Sequence, residues 1–160
     1  MGREIIIEGY CYDKKIDFSP EDLYVCGRDD ATQFIANYVI NNQKNEDDCY
    51  VDFYLHKDED YKKYKYICDE LEEYKKKDYK EIDKAHQTLN QLLLAQSHAN
   101  YEDFFKFQES IEETQNWIDT ESYSRAEELL RCMRLVEDYI MKEKHKCADD
   151  VYYLRIIWSE

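Results

Sequence analysis

Residues 45–60 read NEDDCYVDFYLHKDED, and the alternation at the centre of this stretch decides the fold class. Cys49, Val51, Phe53 and Leu55 interleave with Tyr50, Asp52, Tyr54 and His56. A period of two sends one set to each side of an extended chain, so 49–55 is expected to be a half-buried strand with tyrosine on its outer face. Acidic clusters bound it on both sides, Asp47 and Asp48 before it and Asp58, Glu59 and Asp60 after it.

Two further strands are expected near the chain ends, over 4–12 (within REIIIEGYCYD) and 151–158 (within DVYYLRIIWSE). Both are rich in β-branched and aromatic residues. Tyr50, Tyr54, Tyr152 and Tyr153 would together line the outer sheet face. In DFSPEDLYVCG, residues 17–27, Ser19 as N-cap and Pro20 at the first helical position predict one or two helical turns closing at Gly27. Residues 28–43 predict a helix capped by Asp29 or Asp30, with Phe34, Ile35, Tyr38 and Val39 on one stripe.

A long helical region follows. Apolar positions fall at 67, 71 and 74, then 82, 85, 89 and 92, continuing to Gln96, with a slip between Lys75 and Tyr79. That pattern fits either one long helix or two broken at KKKD. Further helices are expected over 100–119 and 121–146. In the first, Phe104, Phe107, Ile111 and Ile118 form the core face, leaving Phe105 and Trp117 off it. In the second, Ala126, Leu129, Leu130, Met133, Val136 and Ile140 form the core face, with Glu137 as a flank. The expectation is a single α+β domain spanning 1–160, a small mostly antiparallel sheet packed on a helical bundle that includes a long helix or helical hairpin.

Composition narrows the function. The chain of 160 residues has 37 acids against 22 Lys and Arg, a net charge of −15. Such a charge repels nucleic acid and anionic lipid unless it is locally inverted, and favours basic partners or metal ions. Runs such as EIIIEGYCY and VYYLRIIW are too short to span a bilayer, which takes about 20 apolar residues. No basic region followed by an apolar one opens the chain, and Ile6 stands where a myristoylation signal wants Ser or Thr. A cytoplasmic protein with no membrane association is expected. Six scattered cysteines without CxxC read as buried thiols rather than a disulfide framework.

The charge is uneven: −9 over 1–60, +1 over 61–100 and −7 over 101–160. The long central helix compensates itself through pairs such as Asp58–Lys62, Glu72–Lys76 and Glu73–Lys77. In the next helix Glu102, Glu109 and Glu113 project opposite the core face with only Lys106 nearby. With Asp29, Asp30, Asp47, Asp48, Asp58, Glu59 and Asp60 they would present a field like that of a nucleic-acid backbone, with Tyr50 and Tyr54 supplying contact area beside it.

Catalytic motifs are missing. No G-x-S-x-G, P-loop or GxGxxG occurs, His56, His86, His98 and His145 sit beside no nucleophile motif, and His145–Cys147 lacks a second ligand pair. No cofactor is expected. In kind, a short acidic tyrosine-rich chain without catalytic motifs is similar to the phage and mobile-element inhibitors that occlude nucleic-acid-binding sites of defence proteins. That likeness implies a non-enzymatic inhibitor whose acidic surface occupies a basic groove on a restriction or CRISPR effector, without binding nucleic acid itself. Two alternatives remain: a helical adaptor that binds through exposed apolar positions such as Phe105 or Trp117, and an enzyme using a metal or a Cys/His site.

Overall fold

The computed structural model describes residues 3–11, 14–17, 23–143 and 151–159. Nine elements follow in order: β1 (Arg3–Cys11), β2 (Lys14–Lys15), β3 (Tyr24–Gly27), α1 (Asp30–Asn42), β4 (Tyr50–Phe53), α2 (Asp58–Ser97), α3 (Tyr101–Glu121), α4 (Arg125–Glu143) and β5 (Tyr152–Ser159). The expected α+β class holds, and all three expected strands form. The residues sort into two compact units, Met1–Tyr74 with Arg125–Glu160, and Lys75–Ser124.

In the first unit all strand pairings are antiparallel. The order is β2-β1-β5-β4, with β3 sharing the β2 side of β1. β1 and β5 pair over their whole common length, from Glu4↔Ser159 to Cys11↔Tyr152. Alternation then sorts their side chains: Ile5, Ile7, Leu154 and Ile156 are fully buried on the inner face. Val25, Val51 and Phe53 join them from β3 and β4.

The helices supply the rest of this core. α1 buries Ala31, Thr32, Ile35, Ala36 and Val39, with Asp29 as its N-cap. All six apolar positions read from the α4 sequence, Ala126 to Ile140, are buried. The first part of α2 contributes Tyr64, Ile67 and Leu71. Complete burial of each large side chain contributes about 1.5–3 kcal/mol.

α2 is one continuous helix of 40 residues, so KKKD does not break it. The slip in spacing has another cause. Up to Leu71 the helix buries residues in the sheet core, whereas from Lys75 it belongs to the second unit, where Ile82, Ala85, Leu89 and Leu92 are only half-buried. Arg134 of α4 pairs with Glu72 of α2 at 2.5 Å. The Tyr64 hydroxyl donates to Glu137 Oε2 at 2.8 Å and to the Met133 carbonyl at 3.3 Å. Glu137 thus sits at the rim as expected, with a core tyrosine as its donor. Burial pushes the Tyr64 phenol far up, so it remains a donor.

Three expectations need correction. Tyr24–Gly27 is a strand and not the end of a helical turn, because Val25 and its neighbours pair with Arg3–Ile6. Ser19 and Pro20, which suggested the helix, lie outside the described residues, as do His145 and Cys147. Gly27 is used differently: a Cβ there would collide with the Arg125 side chain, whose Nε donates to the Cys26 carbonyl at 2.8 Å. Tyr152 is buried in the core, while Tyr153 lies on the outer face, because successive strand residues point opposite ways. Cys11 is disulfide-bonded, against the all-thiol expectation, whereas Cys26, Cys49, Cys68 and Cys132 are free.

Burial pushes the Cys68 thiol up to about 11 and raises that of Cys132 as well. At pH 8 only about one Cys68 in a thousand is then the reactive thiolate. Iodoacetamide at that pH is expected to label exposed Cys26 first and to reach Cys68 and Cys132 only on unfolding, as read by mass spectrometry of the labelled peptides.

Candidate functional site

The second unit is an antiparallel helical hairpin made from the later part of α2 and from α3. Near its closed end Gln96 Nε2 donates to Gln108 Oε1 at 2.8 Å, and near its open end the Ser124 hydroxyl donates to Asp78 Oδ2 at 2.7 Å. Asn100 starts α3 cleanly, its side chain accepting from the Asp103 N–H at 2.9 Å. Between these ends Ile111, 9% exposed, is the one buried side chain of α3.

Large apolar side chains are instead exposed around the closed end. Leu94 is 64% exposed, Tyr101 80% and Phe105 56%, with Leu93 and Phe104 also exposed. Tyr101 and Phe105 rings meet edge-on at 5.1 Å, and Phe104 and Phe105 at 5.8 Å. Phe104 was expected in the core, but the hairpin ends before anything covers that part of the stripe. All five residues fall within about two helical turns of the 98–100 connection, a span of roughly 10 Å on each arm. The cluster is concentrated at this one end of the hairpin and rimmed by polar residues.

Its rim is acidic. α3 has seven acids and one base, Lys106. Lys106 reaches Asp103 at 3.9 Å, and Glu112 accepts from Gln108 at 3.1 Å. Glu102, Glu109 and Glu113 are exposed and have no ion pair among the described residues. Of the lysines of the α2 arm, Lys75 to Lys80 lie toward the other end of the hairpin, while Lys84 comes beside Glu113. Glu113 also borders a shallow groove of about 440 Å³, shared with Glu81, Lys84 and Trp117.

In the first unit the outer sheet face is built on Arg155. Its Nε and a terminal N–H bind the two Asp52 carboxylate oxygens at 2.7 and 3.0 Å, directly across the β4–β5 pair. The guanidinium lies 3.9 Å over the Tyr50 ring and 4.6 Å from that of Tyr10. Tyr10 stacks on Tyr153 at 5.0 Å, and Tyr153 meets Tyr54 at 4.9 Å. Donating to the Asp52 carboxylate holds the Arg155 guanidinium further above its already high range. Two of the expected contact tyrosines are therefore locked into a cation–π layer.

Beside this layer, along β4, lies a cavity of about 350 Å³. It brings together four of the expected site residues, Asp48, Tyr50, Tyr54 and Asp60, with Asp52 and three lysines, Lys44, Lys57 and Lys63. Asp48 accepts from the Asn45 amide at 2.8 Å, and Asp60 Oδ2 accepts from the Tyr54 N–H at 2.9 Å. Burial first, then Asp60, raises the Tyr38 phenol, which lines the same wall as a neutral hydroxyl.

The remaining expected acids divide by role. Asp29 accepts from the Thr32 hydroxyl at the start of α1, so it is structural as well as acidic. Asp30, Asp47, Asp58 and Glu59 are exposed. The sequence reading missed Arg155, because its partner lies 103 positions away, and the three cavity lysines, which looked like ordinary solvated charge. Among the described residues no group of three His, Cys, Asp or Glu is placed to hold a metal ion, and no helix is long and apolar enough to cross a membrane. No family model matches the chain, no curated protein matches it in sequence, and no solved structure matches it.

Two ion pairs among the described residues of the sheet differ in exposure and so in weight. Arg155 and Asp52 are 20% and 17% exposed, whereas Lys15, paired with Glu8, is 57% exposed. Arg155→Ala is expected to cost about 1.5–3 kcal/mol, leaving Asp52 partly buried without its donors. Lys15→Ala costs roughly 0–1 kcal/mol. Urea midpoints at constant slope measure both, and equal losses would contradict the assignment.

Proposed function

We propose that this is a non-enzymatic binding protein that docks through the closed end of its hairpin onto a basic, nucleic-acid-binding partner. One observation supports the reading above the others: a cluster of exposed aromatic and leucine side chains sits at the end of a helix that carries seven acids and one base. Desolvation of Leu94, Tyr101, Phe104 and Phe105 provides affinity. The field of Glu102, Glu109 and Glu113 sets the encounter rate and selects a positively charged surface. Spacings of seven and four helical residues separate these acids by roughly 10 and 6 Å along the axis, a scale comparable with that of successive phosphates. An inhibitor that occupies a nucleic-acid groove, such as that of a restriction or CRISPR effector, is the form of this reading that uses both features.

A helical adaptor is the second reading, favoured by the exposure of Phe105, which needs no acidic contribution. Paired variants separate the two. Captured from native lysate, the partner of the inhibitor is a basic nucleic-acid-binding protein that duplex DNA displaces. Glu102→Lys/Glu109→Lys/Glu113→Lys weakens its capture at least tenfold and flattens the salt dependence. An adaptor instead loses its partner with Leu94→Ala/Phe105→Ala, is indifferent to charge reversal, and is not displaced by DNA. Capture unaffected by either set overturns both readings.

A further inference from the structure

Charges of both signs line the β4 cavity without neutralising one another. Asp52 is the exception, since Arg155 holds both of its oxygens. Asp48 and Asp60 accept only from neutral donors, the Asn45 amide at 2.8 Å and the Tyr54 N–H at 2.9 Å, so neither charge is compensated. Lys44, Lys57 and Lys63 share the same wall, and Lys57 overlies the Tyr54 ring at 4.6 Å. Among the described residues, no nitrogen of these three lysines comes within 4.0 Å of a carboxylate oxygen. Pairing exposed charges stabilises a fold by only about 0–1 kcal/mol, so folding does not force them together. Around a cavity that excludes part of the water, the same charges act more strongly on whatever enters it.

The wall also offers neutral polar groups. The Trp158 N–H bonds the Cys49 carbonyl at 2.8 Å, which fixes the phase of the β4–β5 ladder. Val51 and Phe53 then direct their backbone groups toward β5, and Tyr50 and Asp52 direct theirs away from it. A fitting occupant carries a cation for Asp48 and Asp60, an anion for the lysines, and a neutral donor and acceptor between them. It is also small, because about 350 Å³ lies at the lower end of the roughly 300–1,000 Å³ of ligand cavities. A free dipeptide meets all of these demands. Its ammonium and carboxylate stand up to two extended residues apart, roughly 7 Å, with a peptide group between them. A free α-amino acid has both charges on one carbon and lacks that group. A zwitterion has no net charge, so the chain's −15 does not oppose it as it opposes an acidic ligand or a second copy.

We propose that the β4 cavity binds a free dipeptide as a zwitterion, its ammonium held by Asp48 and Asp60 and its carboxylate by Lys44, Lys57 and Lys63. The site lies within the first unit and does not rest on the hairpin reading. The test titrates the full chain with alanyl-alanine, alanyl-tyrosine and tyrosyl-alanine, following the Tyr50 and Asp52 amide resonances. At least one dipeptide is expected to shift them saturably, and its N-acetylated and C-amidated forms to bind at least tenfold more weakly. Lys57→Gln/Lys63→Gln is expected to erase the penalty for amidation and keep that for acetylation. Asp48→Asn/Asp60→Asn, in which residue 60 can still accept from the Tyr54 N–H, is expected to do the reverse. Circular dichroism verifies that both variants are folded. The proposal is overturned if none of the three dipeptides gives a saturable shift up to about 10 mM. It is equally overturned if a blocked form binds as well as the free one, if either penalty survives in the variant meant to erase it, or if ammonium acetate gives the same shifts.

Discussion

The pairing of β1 with β5 is the constraint on which the first unit depends. It joins the two ends of the described chain over eight residue pairs and places Ile5, Ile7, Leu154 and Ile156 on one face. The same register sets Arg155 opposite both Glu8 and Asp52, so the inner core and the outer cation–π layer come from one alignment. A one-residue slip would turn the Ile pairs outward and bury Arg155 and Glu8, which no compensation available here could sustain.

The hairpin of the second unit has a different chemistry. Its α2 arm is close to charge balance and its α3 arm is strongly acidic, yet its closed end is apolar. Buried area holds the sheet unit together; the hairpin has a single buried residue on α3 and relies on half-buried contacts. Exposed aromatics at its end add nothing to folding while uncovered. Their place next to uncompensated carboxylates is what gives the binding reading its physical content.

Much of the fold was legible because period and burial coincide. The six core positions of α4 and the Val51–Phe53–Leu55 alternation emerge from spacing alone, since each element has one face on a large core. Tyr24–Gly27 was misread because its strand character depends on a partner at Arg3–Ile6, while the local signals at Ser19 and Pro20 favoured a helix. The slip at Lys75–Tyr79 was ambiguous for a related reason: a helix that changes neighbours and a helix that breaks leave the same mark on the pattern. The site was less legible. Acids could be listed from the sequence, but which of them are engaged by Asn45, Thr32, Tyr54 or Arg155 depends on contacts that spacing does not encode. Phe104 fell on the right stripe, yet a stripe does not say where its cover ends.

Residue-resolved hydrogen exchange under native conditions tests the central claim most directly. If the joined ends hold the first unit, the inter-strand amides of Ile6, Glu8, Arg155 and Ile157 open only with global unfolding, while those of Ser97–Phe105 exchange by local fluctuation with no shared dependence on denaturant. Amides of β1 and β5 that exchange earlier than those in the middle of α4 would show that the ends fray first. The fold would then rest on its helices instead.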